Sequence, residues 1–275
     1  TFTHMLNWLA KETGMKNVCV AGGMFMNSVY NGRIKSATPF DGVFISSCPD
    51  DSGLSIGAAL YVNHHLLGNQ ARHPQTHNYY GPAFSNDDVE KVLKQHKVQG
   101  RRSSNVEKEV AGLLSDGKLV GWFQGSMEFG QRALGCRSII ADPRRAEMKD
   151  TINAAVKFRE AFRPFAPSIL EERTEEFFEI EPGMRVPFME KVYPIRPEKR
   201  DIIPAVTHED GSGRLQTVSR ETNPRYYRLI ECFEEITGVP VILNTSFNLN
   251  GEPVVCTPTD AIRTFYSCGL DVLVL

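Results

Sequence analysis

The sequence predicts an α/β protein with a parallel or mixed sheet. Short apolar runs alternate with stretches of helical period, and several of those runs empty straight into glycine-containing turns. A hydrophobic share of 41% and a charged share of 23% over 275 residues suffice for one large domain or two smaller ones.

Phe2, Met5, Leu6 and Leu9 stand at helical spacing, so a first helix runs to near Gly14. It reads as a helix already under way at Thr1, and hence as part of a longer protein. Residues 17–21 form a short buried strand leading into Gly22-Gly23; a helix over 27–35 and a strand over 42–46 follow. After Cys48-Pro-Asp-Asp-Ser-Gly53, the small residues of 54–60 predict a closely packed helix. Residues 68–82, rich in Asn, Gln, His, Pro and Tyr without apolar period, read as a linker. A helix over 87–95, N-capped by Ser85 or Asn86, and another over 106–114 precede a strand beginning at Leu119. Alternation continues to Leu275. It includes a glycine-rich turn at 207–216 between two short strands, a helix at 224–237, and strands at 240–243 and 271–275.

A net charge of −2 leaves no electrostatic footprint for nucleic acid or an anionic membrane, and no apolar run approaches the ~20 residues of a membrane-spanning helix. The six cysteines form no C-x-x-C pair and no regular framework. Together with the absence of a signal-peptide pattern, they predict a reduced, cytoplasmic protein.

Chemistry concentrates in a few segments. Gly125-Ser-Met-Glu-Phe-Gly-Gln-Arg-Ala-Leu-Gly-Cys-Arg-Ser-Ile139 follows the apolar run from Leu119 and combines glycines, a carboxylate and two guanidiniums. Glycine lets backbone approach a ligand, and guanidinium binds phosphate two-pronged. Lys157-Phe-Arg-Glu-Ala-Phe-Arg-Pro-Phe-Ala-Pro167 adds three more cations. The anion-binding candidates are Arg132, Arg137, Lys157, Arg159, Arg163 and Arg214, with pairing of Arg132 to Glu128 and of Arg159 to Glu160 as the structural alternatives. Gly22-Gly23 followed by Asn27 sits where a strand opens into a helix, either a phosphate site or a plain glycine turn. Asp50-Asp51-Ser-Gly53 offers carboxylates to a hard cation or to an N-cap. His73 and His77 have H-x-x-x-H spacing, but Pro74 between them opposes helical presentation to one metal. His208 is either a general base or phosphate donor, or a hydrogen-bonded turn residue. Asn244-Thr-Ser-Phe-Asn248 presents amides and hydroxyls suited to adenine, ribose or phosphate oxygens, or to capping the next turn.

Glu128-Phe-Gly-Gln-Arg-Ala-Leu-Gly135, Arg137-Ser-Ile139, Lys157-Phe-Arg-Glu160, Phe162-Arg-Pro-Phe-Ala-Pro167 and Asn244-Thr-Ser-Phe-Asn248 also resemble, in order, the C-terminal half of the NodU/CmcH-type O-carbamoyltransferases. The resemblance implies the end of an actin-like (Kae1-like) ATPase lobe over residues 1–78. A YrdC-like open twisted mixed-sheet domain would follow over 79–275. It implies that the YrdC-like domain forms carbamoyladenylate from carbamoyl phosphate and ATP. The Kae1-like domain, completed by an N-terminal lobe of the same protein, would pass the carbamoyl group to a hydroxyl of a sugar or antibiotic-like acceptor. By the same resemblance Gly22, Gly23 and Asn27 line a nucleotide site, and Asp51 is a ligand of a divalent metal, Mg or Fe, whose histidine partners lie upstream. Lys157, Arg163, His208 and Arg214 form the expected catalytic set. Arg132, Arg137, Ser138, Arg159, Asn244, Thr245, Ser246 and Asn248 are the expected substrate- and nucleotide-binding residues. Ser126, Gln131 and Cys136 depart from the family's usual arginine, proline and asparagine. The alternative from another class is a non-catalytic nucleotide- or RNA-binding YrdC-like module, against which the near-neutral charge counts for RNA.

Overall fold

A computed structural model describes residues 1–160 and 163–275. It opens with α1 (Phe2–Thr13), closed by Gly14 in the left-handed conformation at φ 64°. β1 (Asn17–Val20), a 3₁₀ turn (Gly23–Met26), α2 (Ser28–Ala37), β2 (Gly42–Ile45) and α3 (Leu54–Tyr61) follow. β1 and β2 pair in parallel, Asn17 opposite Gly42 and Val20 opposite Ile45. Parallel neighbours need a crossover, and α2 is that crossover. Leu6, Val18, Val20, Phe25, Ile34, Phe40 and Ile45 close a small core between helices and strands.

The expectation of a closely packed helix at 54–60 is not met. The helix forms, but Leu54 is 69% and Tyr61 56% exposed, and none of its residues is buried. Small side chains permit close approach; they do not supply a partner, and no other described element covers this one.

The remainder contains α4 (Asn86–His96), α5 (Val106–Ser115), β3 (Val120–Phe123), β4 (Arg137–Ala141), α6 (Met148–Ile152), β5 (Ala166–Leu170) and α7 (Thr174–Phe177). It continues through β6 (Val192–Pro194), β7 (Ser212–Arg214), β8 (Gln216–Val218), α8 (Pro224–Thr237), β9 (Val241–Ser246), α9 (Pro258–Tyr266) and β10 (Val272–Val274). The main sheet has the order β10-β3-β4-β9-β5-β8 and is mixed. β10–β3 and β5–β8 are parallel, whereas β3–β4, β4–β9 and β9–β5 are antiparallel. β3, β4, β5 and β8 are buried along their length, β9 over its first four residues, and the edge strand β10 is half-buried; α5 and α8 pack together beside the sheet, with Trp122, Ile139, Ile140, Phe233 and Phe247 in the core. β6 and β7 form a separate antiparallel pair.

Local chemistry explains the boundaries. Ser85 and Asp88 form a reciprocal capping box that starts α4. Asn223 caps α8, Pro224 occupies its first turn, and Gly238 ends it at φ 73°. The strand expected before the 207–216 turn is instead a 3₁₀ turn at Pro204–Val206. Proline offers no N–H to a sheet ladder and sits readily at a helical first position. The linker is pinned at its second end: Asn78 is buried, its Nδ2 donates to Phe129 O (3.0 Å), and Gly81 N donates to Met127 O (2.9 Å).

Candidate functional site: an arginine-lined cavity

The loop between β3 and β4 is organised round one buried carboxylate. Glu128 Oε1 accepts the backbone N–H groups of Leu134 (2.6 Å), Cys136 (2.8 Å) and Arg137 (3.4 Å). Burial raises the Glu128 pKa, and these three donors oppose that shift. Glu128 is therefore occupied by backbone, and the alternative in which it pairs with Arg132 is not realised.

Arg137 is fully buried and serves the same loop. Its Nη1 donates to the carbonyls of Gln124 (2.8 Å), Gly125 (3.3 Å) and Cys136 (3.1 Å), and its Nη2 to Pro82 O (3.0 Å). The guanidinium lies 3.6 Å from the centroid of the Phe123 ring. Ser138 Oγ accepts Gly135 N at 3.0 Å. Arg137 thus spends both terminal nitrogens on backbone carbonyls of the loop, of Gln124 and of Pro82, its Nε being buried without a partner among the described residues, and Ser138 Oγ serves the loop itself. Cys136 is buried too, and burial holds its thiol well above the ordinary range.

With Glu128 engaged elsewhere, Arg132 turns into a cavity of about 370 Å³, together with Arg159, Arg163 and Arg214 and the polar end of β9, Asn244, Thr245 and Ser246. Gln131, Ala133, Pro164 and Met189 complete its wall. Arg163 is exposed and pairs with Glu160 at 3.4 Å. It takes the acid that the sequence offered to Arg159, whose guanidinium instead lies 4.6 Å from the Phe165 ring centroid. Arg132, Arg159 and Arg214 have no carboxylate partner among the described residues. Nε of Arg159 and of Arg214 is buried without any partner there. Burial lowers the pKa of all three, Arg214 to about 9 with the charges of Arg132 and Arg159 as further causes. Three clustered, half-buried cations without counter-charge are costly unless a multiply charged anion offsets them.

β9 brings its side chains to this cavity through a buried polar network. Asn244 Nδ2 donates to Ala133 O (3.2 Å), Ser168 Oγ (3.2 Å) and Gln216 Oε1 (3.0 Å). Lys157 stands behind the wall rather than in it. Its Nζ donates to Ser246 O (2.6 Å), Asn248 O (3.0 Å) and Asn248 Oδ1 (3.0 Å), and Ser246 Oγ also donates to Asn248 Oδ1. Lys157 and Asn248 therefore fix the turn that presents Ser246.

Burial, with Arg159's charge second, pushes the Lys157 pKa down to about 7. The unfolded chain then holds this proton between about pH 7 and the free-lysine range near 10.4, where the folded state has released it. Stability accordingly gains from Lys157 as pH rises through that window. Urea titrations of the wild-type chain and Lys157→Met at pH 6.5 and 9.5 should show a smaller gain in the variant; equal gains would place the Lys157 pKa outside the window.

His208 is held in its turn, Nδ1 3.2 Å from Ser212 Oγ and backbone N donating to Ser212 O (2.8 Å). Burial and the charge of Arg214 lower its pKa to about 4. It does not line the cavity.

In the first part of the chain, Gly22 (φ 110°), Gly23 and Asn27 are exposed. Asn27 Oδ1 caps α2 by accepting Tyr30 N (3.1 Å), and Gly22 N donates to Pro49 O (2.5 Å). This turn adjoins the cavity, since Arg132 Nη2 lies 3.4 Å from Met26 O. Gln131 donates Nε2 to Asp50 Oδ2; Ser52 Oγ donates to Asp50 Oδ1 at 2.6 Å. Asp51 is exposed, and no group of three metal-ligating side chains occurs among the described residues. Asp51 thus stands as a single ligand, which does not by itself fit a divalent metal. His73 and His77 lie in irregular chain, where His77 stacks on Tyr79. Met189 escaped the sequence reading: it carries no chemical signal, and only the fold brings it to the wall.

Comparison with known families fits this layout. Residues 1–60 match the family model for the carbamoyltransferase N-terminus, and residues 111–275 that for the carbamoyltransferase C-terminus. The chain belongs to the carbamoyltransferase family. Relatives of this family member include nodulation protein NolO of Bradyrhizobium diazoefficiens, 45% identical over 99% of this chain and 50% of NolO. Nodulation protein NolNO of Sinorhizobium fredii is 43% identical over 99% of the chain and 41% of the relative. Nodulation protein U of Rhizobium tropici is 39% identical over 86% and 39%. The chain spans about half, or less, of the length of these relatives, which identifies it as a NodU-type carbamoyltransferase sequence matched over that part. Among solved structures, full-length HypF in the phosphate- and nucleotide-bound form aligns at a TM-score of 0.44 with 19% identity, over 64% of this chain and 21% of that one. P. abyssi Sua5 complexed with L-threonine aligns at 0.43 with 18% identity, over 63% and 47%. No helix among the described residues is long and apolar enough to cross a membrane.

Proposed function

We propose that the arginine cavity binds carbamoyl phosphate and ATP and forms carbamoyladenylate, for transfer to a hydroxyl of a sugar or antibiotic-like acceptor by the completed Kae1-like part. On this reading residues 1–78 belong to that Kae1-like part and 79–275 form the YrdC-like, adenylate-forming domain. The observation that carries the reading is the cluster of Arg132, Arg159 and Arg214, half-buried and without carboxylate partners among the described residues, beside the hydroxyls of Thr245 and Ser246. Carbamoyl phosphate and the triphosphate of ATP bring several negative charges together, and closely held guanidiniums offset their repulsion.

Balance requires one water. Cleavage of carbamoyl phosphate yields carbamate and phosphate; a carbamate oxygen then attacks the α-phosphorus of ATP and pyrophosphate leaves. The acceptor hydroxyl attacks the carbamoyl carbon and AMP leaves with the bonding electron pair. Within this scheme Arg132, Arg159 and Arg214 hold phosphate oxygens, and Arg163 at the mouth exchanges Glu160 for ligand. Lys157 and Asn248 keep Ser246 in place.

A coupled pyrophosphate assay tests the reading. Pyrophosphate should be released from ATP only when carbamoyl phosphate is also present. A folded protein that binds neither substrate would overturn it.

A further inference from the structure

The cavity wall contains one backbone conformation that the local sequence does not favour. Met189 is buried and lies at φ 54°, in the left-handed region that side chains with a Cβ rarely adopt. Such a conformation persists only where its surroundings fix it. On its near side, Glu190 Oε2 accepts Phe188 N at 3.0 Å. On its far side the partner comes from the other part of the molecule: Asn31 Nδ2, on α2, donates to Glu190 O at 2.8 Å.

The same Asn31 amide donates to Phe25 O at 2.6 Å, inside the Gly23–Met26 turn. Asn31 is 2% exposed, so water does not compete for its amide. Its neighbour Gly32 lies so close to β6 that an added Cβ would overlap the carbonyl oxygen of Val192. That close approach is what allows α2 to deliver Asn31 to the Phe188–Glu190 turn.

We propose that Asn31 is a positioning residue for the arginine cavity: by tying Glu190 O to the Gly23–Met26 turn, it holds Met189 in its left-handed conformation against Arg132 and Arg214. Asn31 does not itself line the cavity. It acts through Met189, whose backbone sets how far the β6 side of the wall stands from the guanidiniums. The inference rests on the anion-binding reading of the cavity for its effect on affinity, but its structural part does not.

The test uses [methyl-¹³C]methionine-labelled protein and inorganic pyrophosphate as the probe. The Met189 resonance is assigned by Met189→Leu, and Met148, buried in the main core, is the internal control. In Asn31→Leu the Met189 methyl should shift while that of Met148 stays in place. Pyrophosphate binding should weaken roughly 3- to 10-fold, as for the loss of one or two neutral hydrogen bonds. Glycine adopts the left-handed region without strain, so Asn31→Leu should cost less affinity in the Met189→Gly background than in the wild-type one. A purely structural loss would not be reduced in this way. Gly32→Ala, which keeps Asn31 but lifts α2 from β6, should reproduce the Met189 shift, and serves where Asn31→Leu fails to fold. An unmoved Met189 methyl in either folded variant overturns the proposal. If the wild-type protein does not bind pyrophosphate, the anion-site reading falls, while the ligand-free Met189 shift still decides the role of Asn31.

Discussion

Arg214→Met should weaken binding of pyrophosphate or carbamoyl phosphate by about 1.5–3 kcal/mol, the loss typical of a hydrogen bond to a charged group, or roughly 10- to 150-fold in Kd. The same substitution should not lower stability. Arg214 is half-buried beside Arg132 and Arg159, burial and their charges pull its pKa down, and methionine replaces its apolar stem while removing the charge. Lost affinity with kept or raised thermal stability separates a ligand-binding arginine from a structural one. Calorimetric titration measures the first effect and thermal unfolding the second. Unchanged affinity in the folded variant would assign Arg214 to structure alone.

Gly135→Ala should be the most damaging single-methyl change in the loop that carries Arg132. Gly135 lies at φ 100°, outside the regions open to a residue with a Cβ, and an added Cβ would overlap the ring of Tyr226. The backbone cost is about 1–2 kcal/mol and overpacking against a buried ring adds about 1–3 kcal/mol. Tyr226 cannot move freely, because it is fully buried and its OH donates to Ser168 Oγ at 3.0 Å. Ser168 in turn belongs to the network that holds Asn244. Denaturant unfolding should therefore show a loss of about 2–5 kcal/mol, with weaker pyrophosphate binding in whatever remains folded. Wild-type stability in this variant would mean that the loop can leave Tyr226 without cost.

Much of the fold was legible because its signals are local. The 224–237 helix is bounded by an Asn-Pro start and a glycine stop, and it forms over those same residues. Gly14 and the Ser85 cap mark boundaries for the same reason. The apolar run at 119–123 becomes a strand because a sheet covered on both faces needs both faces apolar, whereas the strand expected to be buried at 17–21 and the one at 42–46 form with only part of their residues buried, Cys19 and Phe44 standing exposed. The motif order sufficed to read the carbamoyltransferase family, which the family models bear out. Where a reading needed a partner from elsewhere, it failed. Residues 54–60 have the composition of a packed helix but no described element against them. The 204–206 segment is apolar, yet Pro204 directs it to a 3₁₀ turn.

The sequence by itself determined where the cations are concentrated and which element carries each. Only the tertiary structure decided what each one does. Arg132 and Arg137 sit five positions apart in one loop, yet Arg137 is spent on four carbonyls and Arg132 faces the cavity. Arg159 and Arg163 flank one glutamate, and only Arg163 pairs with it. Lys157 carries the most obvious charge of its motif but donates to the backbone behind Ser246. The reason is geometric: a guanidinium or ammonium reaches any acceptor within a side chain's length. The nearest acceptors are set by loops and strands far away in sequence, such as Pro82 for Arg137 and Asn248 for Lys157. Residue type and spacing fix the supply of charge, whereas long-range packing fixes which charges are left without a partner, and those are the ones available to a ligand.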